Sequence, residues 1–333
     1  MMTATSTPPF SITVQAADYL AKIVESITRL DLGTDFQLGI RLHRENRVRS
    51  IYSSLAIEGN PLSLAQVTAL LDGKRVLGRP ADIHEVKNAR EAYDHLPTLD
   101  PFQVDDFLTA HQLLTQGLIK EAGQFRSGDV AVYEGDTPVH TGARPLFVPN
   151  LVSDLFTWAR ESDLHPVLLS AVVHCEIETI HPFADGNGRM GRLWQTLILT
   201  RWNKVFAALP MEAVIFENRP QYYQALRTSQ RDNDATKFLE FSLSAILSAI
   251  ESVLVTYSAI FDGRNGGRSG GRNLTEAVLA ALRVNPNMTG ANLSNSLGVS
   301  RRTIDRQLSN LKAAGRLHRE GSTKAGIWVV IDS

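Results

Sequence analysis

"HPFADGNGRMGR", residues 181–192, gathers one imidazole, one carboxylate, three glycines, an Asn and two guanidinium groups into twelve positions. The flanks decide the architecture. Upstream, "HPVLLSAVVHCEIETI" carries apolar residues at helical spacing. Downstream, "LWQTLILTRW" is apolar on most sides, as in a helix central to a bundle. The stretch therefore joins two helices.

Four chemistries can claim it. Gly186, Gly188 and Gly191 match G-x-G-x-x-G, but that fingerprint needs a preceding strand and a crossover helix, and Pro182 argues against a strand. Gly186 to Gly191 also has P-loop spacing, yet Arg192 and Leu193 stand where a Lys and a Ser/Thr are needed. His174, Glu178 and His181 have neither H-E-x-x-H nor zinc-finger spacing, and a helix-borne His174 reads as a hydrogen-bonded core histidine. The fourth reading uses every polar group. Glycines ahead of a helix turn backbone N–H groups toward an anion. Arg189 and Arg192 would grip phosphates, Asp185 would hold magnesium, and histidine suits proton removal from an attacking hydroxyl.

Composition sets the outer bounds. The chain has 333 residues and a formal net charge of -1, so any basic surface must be local. Cys175 is the single cysteine, which excludes an intrachain disulfide and fits a reducing cytoplasm. "MMTATSTPPF" shows no secretory signal pattern, and no uninterrupted apolar run approaches bilayer length, so no membrane partner is expected.

Other segments read as follows. "DFLTAHQLLTQGLI" places Phe107, His111, Leu114 and Leu118 on one helix face. Val130, Val132 and Val139 flank the turn "YEGDTP", predicting a short hairpin. "FDGRNGGRSGGRN" predicts a flexible linker. Beyond it come a helix with Asn273 or Thr275 near its cap, a second closed by Gly298, a third from Ser300 to Gly315, and an alternating two-stranded wing. That order resembles a winged helix-turn-helix domain.

The twelve-residue stretch matches H-P-F-x-(D/E)-G-N-G-R-x-x-R and so resembles the Fic family (filamentation induced by cAMP). "GQFR" before the hairpin and "PLFVPN" after it, the latter as a post-flap strand, are similar to family segments. The resemblance implies a mainly α fold: a Fic-type helical bundle with a β-hairpin flap, plus the small C-terminal winged helix. It divides the chain into an N-terminal region (1–75), a catalytic core (76–258), a linker (259–272) and a winged-helix-like domain (273–333).

Most Fic enzymes transfer AMP from ATP to a Ser, Thr or Tyr hydroxyl of a protein. Carried over, His181 is the general base and Asp185 binds Mg2+. Asn187 and the backbone at Gly186 and Gly188 hold the α-phosphate, and Arg189 and Arg192 hold the outer phosphates. The target's extended segment would add to the flap at residues 130–146.

"SSLAIEGN", residues 53–60, matches the (S/T)-x-x-x-E-(G/N) inhibitory helix of one class of these proteins. It implies that Ser54, Glu58 and Gly59 are inhibitory and that Glu58 pairs bidentately with Arg192 in place of the ATP γ-phosphate. In some relatives the same Glu supports removal of AMP, so de-AMPylation is the alternative reaction. In the tail, Arg301, Arg302 and Arg306 on the third helix are candidate DNA contacts. The rival class is a DNA-binding regulator whose Fic region senses nucleotide. A homodimer is a further candidate partner.

Overall fold

Apolar residues at helical spacing make helix the dominant element. The computed structural model describes residues 7–32, 36–134, 137–264, 270–284, 286, 288–297, 299–320 and 327–331. The helices are α1 (Val14–Leu32), α2 (Phe36–Ile57), α3 (Leu64–Leu71), α4 (Pro80–His95), α5 (Val104–Thr115), α6 (Val148–Glu161), α7 (Pro166–Ile180), α8 (Asn187–Trp202), α9 (Met211–Glu217), α10 (Arg219–Asp232), α11 (Thr236–Arg264), α12 (Gly270–Val284), α13 (Gly290–Leu297) and α14 (Arg301–Ala313). Two antiparallel hairpins complete the described residues: β1 (Ala131–Glu134) with β2 (Thr137–Thr141), and β3 (Leu317–Glu320) with β4 (Ile327–Val330). The mainly α class, with a hairpin in the helical body and a helix-turn-helix tail, is as expected.

The chain folds as two units, Met1–Ala249 and Ile250–Ser333. In the first, the core gathers around α5, α7 and α8, with Phe107, Phe156, Phe183 and Trp194 fully or almost fully buried. The rings of Phe107 and Trp194 meet edge to face at 4.9 Å. Region 1–75 is part of this body, because Ile51, Leu55, Leu62 and Val67 are buried in the same core. In the second, Leu282, Leu293, Ile304, Leu311, Leu317 and Trp328 form a separate small core.

Local chemistry sets the helix ends. α3 opens with a capping box, in which Ser63 Oγ accepts from Gln66 N and the Gln66 side chain accepts from Ser63 N. α7 starts with Pro166 in its first turn, and His165 Nδ1 accepts from Val167 N. α14 is capped by Ser300 and followed by Gly315 at φ 69°.

Four sequence expectations change. The linker is mostly helical at its ends: α11 runs to Arg264 and α12 starts at Gly270, while 265–269 lie outside the described residues. A lone helical Gly costs only about 1 kcal/mol, too little to end an established helix. For the same reason the cap expected at Asn273 or Thr275 falls inside α12. "PLFVPN" is a 3₁₀ turn (Pro145–Phe147) leading into α6, since Pro149 suits a first helical turn better than a strand interior. Gly298 lies outside the described residues. Finally, the 21-residue segment Thr236–Thr256 reaches a mean hydropathy of 1.8, long and apolar enough to cross a membrane, although no uninterrupted run shows it. More than half of that window is buried within the protein, with Phe238, Leu239 and Leu243 almost wholly covered, which reads as a core helix.

Candidate functional site

α7 stops at His181, a non-glycine residue at φ 54° and ψ 61°. The left-handed conformation costs about 1–2 kcal/mol and turns the chain sharply before Pro182. The neighbours hold it there. His181 N donates to the Ile177 carbonyl at 2.9 Å, and Arg126 Nε donates to the His181 carbonyl at 2.7 Å. Arg126 also donates from its backbone to the Pro182 carbonyl and from Nη2 to the Ala143 carbonyl, joining the flap base to the loop. A carbonyl can only accept, so the 3.3 Å contact of His181 Nδ1 with the Glu178 carbonyl makes Nδ1 the protonated nitrogen. In the neutral ring this tautomer keeps the lone pair on Nε2, as a base requires.

The loop is braced from beneath. Phe183 is fully buried and stacks on His111 with ring centroids 3.6 Å apart. His111 Nε2 donates to the Asp185 carbonyl and Nδ1 accepts from Gly123 N, each at 3.0 Å. Burial pushes the His111 pKa down to about 4, matching this neutral tautomer. Asn187 Oδ1 accepts from Phe183 N and its Nδ2 donates to the Phe183 carbonyl, both at 2.9 Å. Only one N–H of this amide remains to meet a ligand, so Asn187 is first a loop brace, not simply a phosphate contact.

Gly186 precedes α8 at φ 91°, and its N–H donates to Asp185 Oδ1 at 2.6 Å. The backbone N–H groups of Asn187, Gly188 and Arg189 lie in the first turn, where a helix offers them no carbonyl. Gly191 serves packing: a Cβ there would press 2.5 Å from the His174 ring on α7. His174 itself bonds Gln195 Oε1 at 2.8 Å and the Tyr222 hydroxyl at 3.2 Å.

Of the three arginines of α8, Arg189 and Arg192 have carboxylate partners. Arg192 is 2% exposed. Its Nε donates to Ser54 Oγ at 3.1 Å, and its Nη2 donates to the Ser54 carbonyl at 3.0 Å and to Glu58 Oε1 at 2.7 Å. The pairing with Glu58 is monodentate rather than bidentate: it uses Nη2 alone, while Ser54 takes Nε and shares Nη2. Nη1 is buried without a partner. Burial is the largest single influence and opposes the Arg192 charge, but Glu58, Tyr222 and Glu178 together hold the guanidinium above its ordinary pKa. Glu58 also fills the space over Gly188, where a Cβ would collide with its Oε1. Gly59, at φ 91°, turns the chain away.

Arg189, 5% exposed, places Nη1 3.2 Å from Glu85 Oε1 and Nη2 3.2 Å from Asp185 Oδ2. No motif announces Glu85, which lies 104 residues from Arg189.

Ser50 and Ser54 on one face of α2, and Glu58 just past its end, recur every four residues, matched by Thr196 and Arg192 on α8. Buried Glu212 closes one end of this seam. It accepts from Ser50 Oγ at 2.6 Å, Tyr93 Oη at 2.7 Å and Thr196 Oγ1 at 3.1 Å. Glu58 is thus delivered to Arg192 by a fixed helix pair, a seam that the sequence reading missed.

The hairpin β1–β2 has its last strand beside the loop. His140 Nε2 donates to the Thr179 carbonyl at 2.8 Å, with its ring centroid 6.3 Å from that of His181. Asp185 is the exposed carboxylate of the loop, its side chain 63% accessible. Among the described residues no group of three His, Cys, Asp or Glu could hold a metal. These residues fit magnesium shared with substrate phosphates, which needs only one or two protein carboxylates. In the second unit, α14 exposes Arg302 and Arg306, while Arg301 pairs with Asp305 at 2.8 Å. Leu308 and Leu311 face inward, as expected.

The sequence matches the Fic/DOC family over residues 101–199 and an HTH domain over 275–327. It is 30% identical over 212 residues to protein adenylyltransferase Fic of Nematostella vectensis, covering 60% of this chain and 47% of that protein. With the protein of that name from Culex quinquefasciatus it shares 31% over 229 residues, covering 66% and 43%. The chain thus spans less than half the length of these curated relatives. The fold matches a crystal structure of a Fic family protein from Desulfovibrio desulfuricans with a TM-score of 0.73 and 37% identity, covering 98% of this chain and 99% of that one. With a loop of this geometry and a likeness that runs the length of both chains, the protein belongs to the Fic family.

Proposed function

We propose that the protein transfers AMP from ATP to a Ser, Thr or Tyr hydroxyl of another protein, and that Glu58 holds this activity back. In the transfer, the hydroxyl oxygen bonds to the α-phosphorus, the bond to the β-phosphate oxygen breaks, and pyrophosphate leaves. The hydroxyl proton goes to Nε2 of His181. The free N–H groups of the first turn of α8 stabilise charge on the α-phosphate, and Arg189 and Arg192 bind the outer phosphates. Asp185 would hold magnesium, which neutralises phosphate charge when bound. The flap would take an extended target segment as an added strand.

The observation that carries the activity is the α7–α8 turn, with His181 Nδ1 bonded to a carbonyl at one end and unpaired helix N–H groups at the other. The relatives' names support the same reading. Restraint rests on the Arg192–Glu58 contact, since a carboxylate and a phosphate compete for the same guanidinium. Mass spectrometry of the protein after incubation with ATP and magnesium tests both. Glu58→Gly should gain AMP adducts that the double variant with His181→Ala lacks. No adduct on itself or on any lysate protein would count against transfer. The HTH match and exposed Arg302 and Arg306 support a second role, duplex DNA binding by α14.

A further inference from the structure

The contact between Glu58 and Arg192 has a counterpart that no sequence motif announces. Asn60, two residues past Glu58, donates from Nδ2 to Glu85 Oε2 at 2.7 Å. Through its other oxygen, Glu85 lies 3.2 Å from Arg189 Nη1. The turn itself is tightly built. Glu58 N and Asn60 N both donate to the Leu55 carbonyl at 3.1 Å, and Asn60 Oδ1 accepts from Leu62 N at 3.1 Å. One three-residue turn therefore touches both arginines, Arg192 through Glu58 directly and Arg189 through Asn60 and Glu85. Each guanidinium keeps one buried nitrogen without a partner, Nη1 of Arg192 and Nε of Arg189.

We propose that Asn60 and Glu85 form a second arm of the restraint, so that releasing the Glu58–Asn60 turn frees Arg192 and Arg189 together for phosphate. This rests on the reading of both arginines as ATP ligands. A phosphate that reaches Arg189 must come up beside the Glu85 carboxylate or displace it, and either is opposed by like charge. Glu85 is 25% exposed in its side chain, so it can swing to water once Asn60 lets it go.

The test is ATP binding by calorimetry on the full chain with EDTA present, which separates binding from turnover and from magnesium. Glu58→Gly should tighten ATP about tenfold and Glu85→Gln about fivefold. The double variant should fall short of the product, because one turn carries both arms. Asn60→Ala should tighten binding like Glu85→Gln and add nothing on top of it. If Asn60→Ala lowers the melting temperature too far to assay, Glu85→Gln alone decides. Tightening by Glu58→Gly with none by Glu85→Gln overturns the second arm and leaves the first standing. No tightening by Glu58→Gly removes the primary restraint, and tightening by Glu85→Gln would then still support its own arm. Singles that multiply in full sever the link through Asn60. ATP binding by none of the forms overturns both readings.

Discussion

Arg189 and Arg192 on α8 and Arg302 and Arg306 on α14 are arginine pairs on two helices with opposite surroundings. The first two are 5% and 2% exposed and held by Asp185, Glu85, Ser54 and Glu58. The other two are exposed on their helix. A buried cation must be paired, so its partners are dictated by the fold and can be swapped only for something equally anionic. An exposed cation constrains nothing nearby and reads a partner through long-range charge. On the proposed reading, the first pair bears on restraint of transfer and the second on duplex binding.

Predictions that break or sharpen this contrast run from large to small. On a Glu58→Gly background, His181→Ala should cut label transfer by about 10²–10⁴-fold, the range for loss of a general base. Persistence of transfer would remove His181 from the chemistry. In a gel shift on the full chain, Arg302→Ala with Arg306→Ala should weaken duplex binding about tenfold or more, with a shallower salt dependence. Unchanged retardation would make α14 a solvated face. Glu212→Gln should lower stability by about 1–3 kcal/mol in urea unfolding, since it weakens a buried charged acceptor of three hydroxyls. Because Glu212 fixes α2 on α8, the variant should also raise basal transfer. Ser54→Ala removes one hydrogen bond to Arg192, worth about 1 kcal/mol, and should relieve restraint about fivefold at most.

A further effect is in pH. Burial pushes the Glu176 carboxyl from 4.5 to about 7. With the folded value above the unfolded one, its contribution to stability is whole below about pH 4.5 and declines as pH rises through 7. Glu176→Gln should therefore raise the melting temperature at pH 8 but not at pH 4. An equal change at both would show that the side chain acts by shape alone.

What was readable in the sequence was what is local in the chain. The twelve residues 181–192 carry their chemistry in one loop, and Ser54 and Glu58 stand one turn apart on one helix face. Glu85, Asn60 and Glu212 were not readable as partners, because Glu85 on α4 and Glu212 on α9 meet α8 across long stretches of chain and Asn60, past the end of α2, meets Glu85. Glu212 meets Ser50 across 162 residues, and no local pattern encodes that meeting. Asn187 shows a subtler gap: its place in the stretch suggested a ligand contact, yet the bonds that occupy it run to Phe183 four residues away. The linker was legible only in part. Glycine content there is high, but helix persists to Arg264 and resumes at Gly270.

Glu58 is proposed to withhold Arg192 from phosphate. Label from α-labelled ATP, followed in parallel for wild type and Glu58→Gly at equal concentration with magnesium, tests it most directly. The account predicts at least about tenfold more labelled protein with Glu58→Gly. Equal labelling of the two, with both folded by melting temperature, would contradict it.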